Sequence, residues 1–338
     1  MEPIKKWLCC IIAIVFLYSL TGCAQLFNNP QTPKNNNDIV NQQSKPGDLV
    51  PIDPYEQAKE VNITLYFKHE IADFLVPETR TVLQEKQTIE QLIVEELLKG
   101  PQEFERLMVM PPGTEVIDVT RRGDTVFVNL TDDFLNDIDL TAIPGKENVA
   151  EADMPKTQAE MKLLSVYSIV NSLTYLDGVS QVKLMVSNTQ LSYKEMSTEL
   201  LIEEGSTVGP NSPMMAIRRN KNANLTPAKT VRLVLNALTG EPSWDIIYLF
   251  LSNKTMDGST LPPLEELKAK IPPVVGGMIE FEDNPVVDEE FIVDKAFVSV
   301  HYTNKTGETS KDVQEVLTVD EVGGIWKVRL PEFFSQYR

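Results

Sequence analysis

Two histidines, three cysteines and several close-set carboxylates are the residues through which this chain can act chemically. His69 follows an extended run, and His301 sits inside Val298-Ser299-Val300-His301-Tyr302. Either imidazole can serve as a general base near neutral pH. Neither has a recognisable nucleophile beside it, and the two show no metal-ligand spacing; the plainer reading is a pair of strand-edge residues. Asp132, Asp133, Asp137 and Asp139 offer oxygen ligands to calcium, but their spacing departs from the D-x-[DN]-x-[DN]-G loop, so a solvated loop is expected. Glu280, Glu282, Asp283, Asp288, Glu289 and Glu290 surround an expected hairpin. Two such acids held roughly 5–10 Å apart can hydrolyse a glycosidic bond, and sequence spacing does not fix that separation. Tyr167 and Asn171 share a face of an expected helix, with Glu160 two turns earlier on nearly the same side. The three form either a polar surface for a partner or an internal hydrogen-bond network holding helix to sheet. No phosphate loop or dinucleotide fingerprint is present. The sequence therefore implies no catalytic set, no metal site and no cofactor.

The cysteines carry a sharper signal. Lys5 and Lys6 precede an uncharged run over residues 7–20, and Leu20-Thr21-Gly22-Cys23 follows directly. The run is shorter than the roughly 20 apolar residues of a spanning helix and has the length of a signal-peptide core. The tetrapeptide Leu20, Thr21, Gly22, Cys23 resembles the lipobox of bacterial lipoproteins, in which the thiol accepts diacylglycerol and small neighbours fit the signal peptidase. The resemblance implies a leader over residues 1–22, a lipid on Cys23, the membrane as a partner through that lipid, and a place on the extracytoplasmic face. An uncleaved N-terminal anchor is the alternative, and it also leaves the rest of the chain outside the cytoplasm. With Cys9 and Cys10 in the leader and Cys23 lipidated, no thiol remains for a disulfide, a metal or a nucleophile.

The net charge is −18. Such a surface repels phosphate backbones, which excludes nucleic acid as a partner, and no polybasic patch faces anionic lipid heads. The 338 residues exceed one domain of about 100–200 residues, so two domains are expected beyond the leader. Residues 23–58 are rich in Asn, Gln and Pro and lack apolar periodicity; they read as a flexible tether.

Elements that would position the side chains begin at residue 59. Residues 63–67 and 74–82 are expected strands. Thr88-x-x-Gln91 is a capping box opening a helix that Gly100-Pro101 stops. Residues 115–120 and 125–130 read as a strand pair around Arg122-Gly123-Asp124. Thr157-x-x-Glu160 is read as a second capping box, opening a long amphipathic helix that ends near Gly178, and residues 182–186 form a closing strand.

This order resembles a known family. Leu65-Tyr66-Phe67, Leu75-Val76-Pro77-Glu78, Glu95-Glu96-Leu97-Leu98-Lys99-Gly100-Pro101, Pro111-Pro112-Gly113-Thr114, Val126-Phe127-Val128-Asn129-Leu130 and Tyr167-Ser168-Ile169-Val170-Asn171-Ser172-Leu173 are similar to the GerM domain (GerMN) of sporulation and spore-germination lipoproteins. The resemblance implies a small α/β domain with a mixed sheet over residues 59–192 and no known catalytic centre.

Residues 193–338 form the second expected domain. Thr226-Pro227 opens a helix, residues 244–251 a second and residues 264–270 a third. Residues 278–281, 291–293, 296–302, 313–319 and 325–330 are expected strands. Helices followed by a curved antiparallel sheet, with Gly324-Ile325-Trp326-Lys327-Val328 at its end, resemble the NTF2-like α+β class. Trp244, Tyr248, Phe250, Phe281, Phe297 and Trp326 would line its pocket or simply fill its core. A degenerate second GerM domain is the rival, because Ala237-Leu238-Thr239-Gly240-Glu241-Pro242 echoes the first helix end. The fold class expected is thus α+β in two parts. The function implied is a non-catalytic, membrane-anchored envelope protein that binds sporulation or other envelope proteins. The alternative is a receptor or enzyme acting on peptidoglycan.

Overall fold

The computed structural model describes residues 58–238, 241–270, 279–306 and 309–331, and for residues 270, 279–285, 287, 306 and 309 the backbone alone. The leader, Leu20-Thr21-Gly22-Cys23 and nearly all of the expected tether lie outside the described residues, as do the side chains of Glu280, Phe281, Glu282 and Asp283. The described residues fall within one compact unit, Tyr55–Arg338. Its class is α+β.

In the first half, β1 (Lys59–His69) pairs antiparallel with β2 (Leu75–Gln84) and, at its last two residues, with β3 (Arg106–Leu107). Helix α1 (Ile89–Leu98) starts where the Thr88 hydroxyl accepts the Gln91 N–H at 3.2 Å. The Gln91 amide reaches forward to Glu95 rather than back to the cap. Gly100, at φ 86°, ends the helix in a conformation that glycine adopts freely.

A second sheet runs β4 (Val116–Arg122), β5 (Thr125–Leu130), β6 (Gln181–Val186) and β7 (Ile217–Arg218). The parallel pair β5–β6 needs a crossover, and α2 (Met154–Leu173) supplies it. This helix begins three residues before the expected cap. Pro155 fits its first turn, where a missing N–H costs nothing, and the Thr157 hydroxyl donates to the Asp153 carbonyl inside the helix.

The second half opens with α3 (Pro227–Leu238) and α4 (Trp244–Leu249). The expected helix over residues 244–251 is cut short: Leu251 begins β8 (Leu251–Thr255), which pairs parallel with the last strand at Val328. After α5 (Leu264–Lys270) come β9 (Ile279–Ile292), β10 (Lys295–Thr306), β11 (Thr309–Val322) and β12 (Ile325–Leu330). The sheet order is β8-β12-β11-β10-β9. The expected hairpin around residues 280–290 is instead one long strand. Pro285 is tolerated there because β9 is an edge strand, and the register slips beside it between Val300 and Tyr302 of β10. Helices precede an antiparallel run here, so the element order of the first half is not repeated.

Two main cores result. Ile63, Leu65 and Phe67 of β1 pack with α1, α2 and the inner face of β4–β6. Val231, Val234, Leu235, Ile247 and Phe250 pack on Ala296, Val298, Val300, Leu317 and Val328. Ala72 and Val76 of the β1–β2 hairpin enter this second core. One hairpin therefore serves both halves.

Candidate functional site at the junction of the two halves

The junction is built on β1 and β2. Within β2, the Arg80 guanidinium lies buried between Glu78 and Glu96, donating from Nε to Glu78 at 2.9 Å, from Nη1 to Glu96 at 3.0 Å and from Nη2 to the Gly100 carbonyl at 3.0 Å. The Glu78 carboxylate also accepts the backbone N–H groups of Gln102 and Glu103. These bonds tie the end of α1 to β2.

Arg106, also buried, reaches across. Its Nη2 donates to the carbonyls of Pro77 and of Gly323, in the β11–β12 turn. Lys327 of β12 pairs with Glu105 at 2.8 Å and donates to the Leu249 carbonyl. His69 ends β1 fully buried, its ring 4.8 Å from that of Phe250 and stacked on it. Its Nδ1 accepts the N–H groups of Ile71 and Ala72 at 3.2 and 3.1 Å, which places the ring proton on Nε2, an atom with no partner among the described residues. Burial, with Lys68, Lys327 and Arg106 nearby, pushes its pKa down to about 3. His69 is thus a neutral joint between the halves.

Beside this joint lies a cleft of about 330 Å³ whose walls include Thr64, Tyr66, Glu103, Tyr175, Glu321 and Gly324. The Arg219 guanidinium sits 5.5 Å from the Tyr66 ring and 5.2 Å from the Tyr175 ring, and donates to the Tyr66 hydroxyl at 2.6 Å. Burial raises the Tyr66 pKa, so the phenol keeps its proton. The cleft offers hydroxyls, two carboxylates and an aromatic wall. Such a set can donate and accept hydrogen bonds, and among the described residues it holds no nucleophile with a base beside it.

The structure disperses the other side chains singled out in the sequence. Asn171 is fully buried. Its amide donates to the Asn220 carbonyl and to Asn224 Oδ1, and its Oδ1 accepts the Asn220 N–H at 3.0 Å. Tyr167 is half-buried and packs against the first half's core. Glu160 faces Lys156 at 3.9 Å one turn away. His301 lies within β10, opposite Gln314 of β11. Asp133 and Asp139 hold local turns, accepting from Asn136 and Thr141, and among the described residues no acidic or histidine group gathers as metal ligands. Phe250 is core, Trp244, Tyr248 and Trp326 pack against that core, and the Trp326 ring also meets Phe291 edge-on. Sequence reading missed Ser165, Ser168 and Ser172, buried hydroxyls along one face of α2. Their signal was a stripe of serines at helical spacing within an otherwise apolar face.

Among the described residues no helix is long and apolar enough to cross a membrane. A search of curated proteins found no match. The tandem GerMN domains of the sporulation protein GerM from Bacillus subtilis align with 49% of this chain at 16% identity and a TM-score of 0.31, and this chain spans 48% of that structure. The first GerMN domain of the same protein aligns with 48% of this chain at 16% identity and a TM-score of 0.29, over 98% of its own length. Residues 64–192 match the family model described as Germane, sporulation and spore germination. The chain therefore carries a Germane domain.

Proposed function

We propose that this chain is a non-catalytic lipoprotein, held by a lipid on Cys23 at the extracytoplasmic face of the cell membrane, whose folded part binds a partner in sporulation or spore germination. The observation that supports this reading is how the reactive side chains are engaged. His69 takes two backbone N–H groups on Nδ1 and stacks on Phe250, while the Glu78 carboxylate is filled by Arg80 and two amides. These groups join two halves of the molecule instead of facing a substrate. The Germane match gives the biological direction, the lipobox-like tetrapeptide gives the anchor, and the acidic surface points to protein or wall material rather than nucleic acid.

Cross-linking the full-length chain in starving and in growing cells tests the reading. Capture of a sporulation envelope protein only on starvation supports it, as does loss of labelled fatty acid in Cys23→Ala. Persistent labelling of that variant removes the anchor. Release of soluble fragments from purified peptidoglycan by the protein replaces the binding reading with an enzymatic one.

A further inference from the structure

The sheet β4–β5–β6–β7 has one covered and one open face. Val119, Val126, Val128, Val182 and Leu184 are buried under the helices. Alternation along each strand sends their neighbours to the other side. There Thr120, Phe127 and Lys183 stand side by side in register, and Arg122, Thr125, Gln181 and Arg218 form the next row. The Arg122 guanidinium lies 5.5 Å from the Phe127 ring. Asn129 is 5% exposed, and its amide donates to Asn188 Oδ1 at 2.9 Å while accepting the Asn188 N–H at 2.9 Å. This pair holds Asn188 at φ 64°. Arg122, Phe127, Asn129, Lys183 and Asn188 line a concavity of about 400 Å³, and the Asp118 carboxylate stands in the same wall.

Among the described residues no carboxylate lies within ion-pair distance of Arg122 or Lys183, whereas Arg80, Arg106 and Lys327 at the junction are all paired. The concavity sets two cations, Arg122 and Lys183, against one carboxylate, Asp118, so in a chain of net charge −18 it is locally cationic, and such a field concentrates anions. Its backbone is bonded within the sheet, since β5 lies between β4 and β6. A peptide that binds by adding a strand has no free edge at this centre. What the face presents is an aromatic ring with a planar guanidinium over it, an ammonium, fixed side-chain amides and, at its margin, the Asp118 carboxylate. Carboxylates match the two cations, a sugar ring matches the aromatic plate, and hydroxyls match the amides.

We propose that the open face of β4–β5–β6 binds an acidic glycan, with a sugar ring over Phe127 and its carboxylates on Arg122 and Lys183. The concavity is separate from the junction cleft, and binding in solution is measured without reference to any sporulation partner. Titrating the full-length chain with a galacturonate oligosaccharide tests it, with a neutral galactan and polyglutamate as comparisons. Saturable binding at least about tenfold tighter than either comparison is expected. The double variant Arg122→Glu, Lys183→Glu should lose roughly tenfold or more, and Phe127→Leu a comparable amount, with unchanged circular dichroism. Three results overturn the proposal: no saturable binding of the acidic oligosaccharide, equal binding of polyglutamate, or binding that survives the double variant.

Discussion

The backbone N–H of Tyr66 donates to the hydroxyl of Ser172 at 2.9 Å. The carbonyl of the same residue accepts from Ser168. Two side chains of α2 thus replace the neighbouring strand that β1 lacks at this position, because β3 pairs only with Lys68 and His69. Covering a strand edge with a helix satisfies its backbone groups and blocks edge-to-edge association. Ser172→Ala removes the acceptor and leaves the Tyr66 N–H buried and unpaired. The expected loss is about 1–3 kcal/mol, read as a lower urea midpoint at an unchanged slope.

The Arg80 guanidinium is expected to weigh far more than its neighbour Lys99. Both meet Glu96, Arg80 at 3.0 Å and Lys99 at 2.5 Å, but Arg80 is buried and Lys99 is 64% exposed. Arg80→Met takes from Glu78 and Glu96 the buried cation they share, leaving Glu96 only the exposed Lys99 and Glu78 only Arg106 at 3.9 Å and two backbone N–H groups, which costs about 3–5 kcal/mol. Lys99→Ala removes a solvent-screened contact worth about 1 kcal/mol or less. Denaturant unfolding of the two variants should show this gap; equal losses would mean the buried pair is not what joins α1 to β2.

The Germane half was legible in the sequence because its signals are local. Thr88 caps a helix, Gly100 ends it, and alternating valines in residues 125–130 and 181–186 set the sheet. The junction was not legible, because its bonds span long stretches of chain: Arg106 to Gly323, Glu105 to Lys327, His69 to Phe250. No periodicity records such pairs. Glu78 and Arg80 read as polar residues of a strand, and only the fold shows that both point inward. Asn171 lay on a helix face that looked polar, while Asn220 and Asn224 arrive from a loop about fifty residues later to bury it. The one long strand β9 was not legible either: strands expected at residues 278–281 and 291–293 with a hairpin between them are continuous, and Pro285 within it is accommodated because β9 is an edge strand.

His69 should make stability fall on acidification. Burial is the main cause of its low pKa of about 3 in the folded chain, with the nearby cations adding to it. The unfolded chain takes up this proton near pH 6.5. Between those values the unfolded state binds more protons, so stability rises with pH across the window and is lost as pH drops through it. The slope from this one group approaches about 1.4 kcal/mol per pH unit below pH 6.5. In His69→Asn the amide oxygen can still accept from Ile71 and Ala72, and nothing titrates. Unfolding free energies between about pH 4.5 and 6.5, above most carboxylate titration, should therefore be flatter in the variant than in the parent chain. Equal slopes would show that His69 is not held neutral.

Gly324 is where the second half closes on the first. Its φ of 79° suits glycine, and a Cβ there would stand 2.6 Å from the Pro77 carbonyl oxygen and 3.3 Å from Arg106 Nη2. That oxygen is backbone of β2 and cannot swing aside. Gly323, at φ 57°, would place a Cβ 3.8 Å from the Glu103 carboxylate, an ordinary contact. Gly323→Ala should therefore cost only its backbone strain, about 1–2 kcal/mol. Gly324→Ala adds a collision that must push the β11–β12 turn off β2, disturbing the Arg106 bond to Gly323 and the stacking of Phe250 on His69. Its unfolding midpoint should fall clearly below that of Gly323→Ala, and hydrogen exchange at Ile71 and Ala72, whose N–H groups rest on His69, should accelerate in Gly324→Ala alone. Equal midpoints and unchanged exchange would mean that the two halves are held together elsewhere than at this turn.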